Sequence, residues 1–172
     1  EDIRSNHEFR ESQAFMETHM GAVLPLQVEV IFDDLDPREP EALVAVAQLA
    51  DWLENQELVG STLALPDVVQ SIWRAFDPET SEPFPPTREG VAQLLLMGSL
   101  GAGEESTAGL LWEGDATHAP STRVVSRVKD SGHAQTVDLV QRLETQSETI
   151  LTPLGGSAQV TGVAWLAQEV NA

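Results

Sequence analysis

Two hydrophobic periods alternate along the chain, and the points where they switch divide it into elements. From Leu24 to Phe32 the step is two, with Leu26, Val28 and Val30 on one side and Gln27, Glu29 and Ile31 on the other. Gly21 precedes this run and an acidic turn follows it, so a first strand is predicted here. From Glu41 to Gln56 the step lengthens to three and four: Leu43, Val46, Ala47, Ala50 and Leu53 form one stripe, and Asp51, Glu54 and Asn55 face away. A helix lying on a sheet is predicted. Glu39, Pro40 and Glu41 suit its first turn, where proline forfeits no amide bond and negative charge meets the positive helix end. A second strand is expected from about Leu58 to Leu63.

Pro66 opens another helical stripe of Leu65, Val68, Val69, Ile72 and Phe76, which ends before Asp77 and Pro78. The proline-rich segment 78–87 reads as a linker, and Arg88 to Leu100 as a further helix. Gly101 to Ser121 is rich in small and polar residues, with Leu110, Leu111 and Trp112 as an apolar island, and is expected to be mobile. Order resumes with a third strand at Thr122 to Lys129. A long helix follows Ser131 or Gly132 and runs through Leu151, Pro153 and Gly155-Gly156 stop it, and a fourth strand spans Ala158 to Val163. At the other end, residues 1–20 carry Phe9, Phe15 and Met16 or Met20 at loosely helical spacing, which suggests a short packing helix.

The order strand, helix, strand, excursion, strand, helix, strand implies an α+β domain. Its expected form is a four-stranded, ferredoxin-like split βαβ-βαβ sheet with two covering helices and a helical insertion at about 65–121. Residues 1–172 are read as one domain: a lead (1–23), a first βαβ half (24–64), the insertion (65–121), and a second half with a C-terminal tail (122–172).

Charge and composition narrow the function. Twenty-eight acidic against nine basic residues give a net charge of −19, which repels nucleic acid and anionic lipid head groups at long range. The absence of cysteine excludes disulfides, thiolate metal sites and a cysteine nucleophile. The longest apolar stretch, Val91 to Gly103, is interrupted by Gln93 and Ser99 and is shorter than the roughly 20 residues that cross a bilayer. The segment begins at Glu1 with no basic-then-apolar leader, so it is read as a processed chain or an excised piece.

No catalytic or metal-binding pattern is found. His7, His19, His118 and His133 lack the paired spacing of a zinc site, and the run Asp33, Asp34, Asp36, Glu39, Glu41 lacks the glycine and terminal glutamate of a calcium loop. Helix capping is the expected role of those acids. A phosphoryl-binding loop after the first strand would need positive charge where this one is triply acidic, and Gly98-Ser99-Leu100-Gly101 lacks the spacing of a nucleophile elbow, reading instead as a helix end. No cofactor is implied, and the chain is not expected to be an enzyme.

Two constellations remain. Arg123, Arg127 and Lys129 concentrate a third of the bases on one strand face, where local carboxylates or an anionic partner could meet them. Trp73, Phe76, Phe84, Leu95, Met97 and Trp112 give the insertion much of the chain's large apolar surface, which could form a small core or line a groove for substrate or docking.

Five segments taken in order form a further pattern: Phe15 to Val30 (FMETHMGAVLPLQVEV), Asp36-Pro37 with Trp52-Leu53-Glu54, Val59 to Trp73 (VGSTLALPDVVQSIW), Glu89 to Leu96 (EGVAQLLL) and Val160-Thr161-Gly162. Together they resemble the large extracytoplasmic loops of resistance-nodulation-division exporters, in the branch of mycobacterial membrane protein large and hopanoid transporters. The resemblance covers most of the chain. It implies a periplasmic porter or substrate-capture domain on the outer face of the bacterial inner membrane, part of a proton-driven exporter of lipids or other hydrophobic molecules. The implied partners are the transmembrane helices and sister loop domain, with a homo-oligomer or periplasmic adaptor as further possibilities. Two alternatives stand beside it: an assembly module of such a transporter that never touches cargo, and a free-standing secreted binding protein or hydrolase. The tail Val163 to Ala172 would lead toward the membrane.

Overall fold

The computed structural model describes residues 24–102, 109–115 and 118–162. The expected N-terminal packing helix and the C-terminal tail lie outside them. The elements are β1 (Leu24–Phe32), α1 (Pro40–Glu54), β2 (Val59–Leu63), α2 (Leu65–Phe76), α3 (Arg88–Ala102), β3 (Leu111–Trp112), β4 (Ser121–Val128), α4 (His133–Leu151), a 3-10 turn (Thr152–Leu154) and β5 (Gly156–Gly162).

The main sheet runs β2-β4-β1-β5, and every pairing is antiparallel. β1 and β2 are therefore parallel with β4 between them, and β4 and β5 are parallel with β1 between them. This is an α+β architecture of two interleaved strand-helix-strand units. A fifth strand was not expected: Leu111 and Trp112 pair with Thr122 and Ser121, so this part of the stretch read as mobile is tied into the sheet. Two residues are too few to show a period, which is why the pattern along the chain did not mark them.

The alternation in β1 has the predicted consequence. Leu26, Val28, Val30 and Phe32 are buried and join Val124, Val128 and Val160 from neighbouring strands. Onto that face pack Ala42, Ala45, Val46, Leu49 and Leu53 of α1 and Leu139, Val140, Leu143 and Leu151 of α4. Two buried hydroxyls on the core side of β4 are satisfied: Thr122 Oγ1 donates to Leu110 O at 2.8 Å, and Ser126 Oγ lies 3.2 Å from Thr62 Oγ1.

A second core sits beside the first. Leu65 and Val69 of α2, Phe84, and Val91, Leu94 and Leu95 of α3 pack with Leu110 and with Leu43 of α1; Ala47 and Val125 flank them. The turn into α2 is fixed by Asp67, whose carboxylate accepts from Ala64 N at 2.7 Å, while alanine has no oxygen to return the bond. Gly98, read as part of a helix end, lies inside α3, which continues to Ala102. A Cβ there would come within 2.6 Å of Ile72 Cδ1, so this glycine lets α2 and α3 approach closely.

Candidate functional site

One face of the sheet carries α1 and α4; the opposite face meets the second core at Val125. Register assigns its side chains in rows across the strands: Ser157, Ile31, Ser121 and Trp112; Gln159, Glu29 and Arg123; Thr161, Gln27, Val125 and Leu63; Pro25, Arg127 and Ser61. Most are half-buried or exposed, including Ile31, Leu63 and Trp112. Apolar and polar groups are interspersed, a composition closer to a docking surface than to an orphaned core.

At the β3 end of this face lies a cleft of about 480 Å³, lined by Glu29, Leu111, Trp112, Asp115, His118 and Arg123 among others. The Glu29 carboxylate accepts from the buried Ser121 Oγ at 2.7 Å. On the rim, His118 Nδ1 lies 3.1 Å from Asp115 Oδ1, and the His118 ring meets Trp112 edge-on at 5.9 Å. Sequence reasoning missed Glu29, Ser121, Asp115 and His118 as a group. The available signal was Glu29, the single charged residue of β1, on its outward phase.

The predicted basic face is only partly formed. Arg123 lines the cleft and Arg127 is exposed on the same face, and neither makes an ion pair among the described residues. Lys129 departs from expectation: β4 ends at Val128, and the Lys129 ammonium donates to the Glu57 carbonyl at 2.9 Å. The apolar set does not converge either. Phe84 and Leu95 are buried in the second core and Trp73 packs partly buried against it, its indole N–H enclosed without an acceptor among the described residues. Phe76 and Met97 are exposed, and only Trp112 reaches the sheet-face cleft.

The acids after β1 also do something other than cap α1, whose N-cap residue Glu39 makes no side-chain cap bond. Arg38 Nε and Nη2 donate to the two oxygens of Asp36 at 2.8 and 2.7 Å, and Arg38 Nη1 donates to both oxygens of Glu113 at 3.0 and 2.8 Å. Arg88 adds a longer contact to Asp36 at 3.6 Å. The Arg38 hydrogen bonds hold the Asp36 carboxyl below its ordinary range, against the opposing effect of burial. This cluster ties the β1–α1 loop, the start of α3 and the residue after β3 together.

Among the described residues no group of three or more histidines, aspartates or glutamates is placed to hold a metal, and no helix is long and apolar enough to cross a membrane. Comparison of the chain with protein-family models, curated proteins and solved structures finds no match.

Proposed function

We propose that this chain is the extracytoplasmic porter lobe of a resistance-nodulation-division type exporter, built on a ferredoxin-like split βαβ pair and acting on lipids or other hydrophobic molecules without chemistry of its own. The observation that carries the reading is the pairing of β1 with β5, in which Leu26 lies opposite Gly162. The first and last described strands therefore lie side by side, as a lobe inserted between two membrane spans requires. The interleaved strand order and the insertion between its halves agree with that arrangement.

The sheet face turned away from α1 and α4 supports a share of docking in this role. It presents Arg123 and Arg127 in a strongly acidic molecule, together with half-buried Ile31 and Val125, so a sister domain of the same transporter is its proposed partner. The reading is tested in the full-length protein, where apolar segments of roughly 20 residues are expected on both sides of this one. Arg127→Glu is expected to reduce export at an unchanged membrane level. A full-length protein without flanking spans would overturn the proposal.

A further inference from the structure

A second cleft, of about 310 Å³, lies between α3 and β3 and is lined by Ala92, Leu95, Leu96, Ser99, Leu111, Arg38 and Glu113. Its floor is aliphatic: Leu95 is buried, Leu111 is half-buried, and Leu96 exposes 62% of its surface. At one end stands the Arg38 guanidinium. Asp36 grips two of its nitrogens and fixes its plane, whereas its third nitrogen is held by Glu113, whose side chain is 67% exposed. The inner partner is part of the fold; the outer one is a solvated carboxylate on a flexible stem, worth little as an ion pair and readily exchanged.

From this geometry we infer that the cleft is a binding site for a single-chain amphiphile with a carboxylate head, of the fatty-acid class. The carboxylate replaces that of Glu113 on Arg38 Nη1, and the alkyl chain lies over Leu95, Leu96 and Leu111. Guanidinium and carboxylate match in charge and shape, and the pre-set plane of Arg38 reduces the ordering needed on binding. The volume is at the lower end of small-ligand sites, which suits one short chain rather than a two-tailed lipid. This assignment stands on the cleft alone and does not depend on the exporter reading.

The test uses the 172-residue chain titrated with decanoate, followed by amide resonances and tryptophan fluorescence. Decanoate is expected to shift Ala92, Leu96, Leu111 and Glu113 saturably. Glu113→Gln, which removes the competing carboxylate from an exposed position, is expected to tighten decanoate binding by roughly fivefold, the upper end for an exposed pair. Decanol, which has no charge, is expected to bind equally to both proteins, and Arg38→Gln to remove the preference for decanoate over decanol. Absence of saturable shifts at these residues, or equal decanoate affinity for Glu113→Gln and the native chain, overturns the site. Shifts with phospholipid vesicles but none with decanoate overturn the single-chain assignment.

Discussion

Asp36 shows how one side chain in this protein acquires two partners and a pH dependence. Its carboxyl is held low chiefly by Arg38, so the contribution to stability is complete above the ordinary carboxylate range and is lost as pH falls through the depressed folded-state value. In urea titrations, the difference in unfolding free energy between native chain and Asp36→Asn is expected to be constant above about pH 5 and to shrink below it. A difference independent of pH down to acid unfolding would contradict this. Gly156 is constrained sterically instead: a Cβ there would lie 2.8 Å from the Phe32 ring and 3.1 Å from Leu151 Cβ, both fully buried residues. Gly156→Ala is expected to destabilise by about 1–3 kcal/mol, read from chemical denaturation. That the Gly155-Gly156 pair ends a helix was legible in the sequence; that the second glycine makes room for Phe32 was not, because the two are distant in the chain.

At the level of elements, periodicity carried as far as each element has a face to bury. β1, α1, α2 and α4 were legible because their stripes are continuous, and their boundaries agree to within one or two residues. β3 was not, since it is held by register with β4. The site shared that fate. Trp73, Phe84 and Leu95 could be read either as a small core or as a groove wall, because composition cannot distinguish the two; all three pack in or against the second core, and Leu95 also lines the cleft beside Arg38. Leu143, fully buried where α4 meets the sheet, gives the contrast a measurable form: Leu143→Ala is expected to cost about 2–5 kcal/mol. Phe76→Ala, at a position 58% exposed, is expected to change stability by no more than about 0.5 kcal/mol. Comparable losses at both positions would mean that the end of α2 is covered in the native protein.

For the molecule as a whole, strand order sets the first and last described strands next to each other. Thr161, Gln27, Val125 and Leu63 form one row, so cysteines at Gln27 and Thr161 are expected to oxidise to a cross-strand disulfide. Cysteines at Gln27 and Leu63, two strands or roughly 10 Å apart, are not. The reverse result would break the proposed topology. The −19 charge and the placing of Arg123 and Arg127 on one strand face were legible in the sequence, whereas the neighbours of those arginines across the sheet, Glu29 and Pro25, emerged only from the register. The chain contains no native cysteine, so a single cysteine placed at exposed Asp34 is unique within it. In the full-length protein, with the same protein carrying Asp34 as the control for other cysteines, reaction of that cysteine with a membrane-impermeant maleimide in intact spheroplasts tests the exporter account most directly. Labelling without lysis, on a protein recovered with the membranes, is the expected result; labelling only after lysis, or recovery of the protein in the soluble fraction, would contradict it.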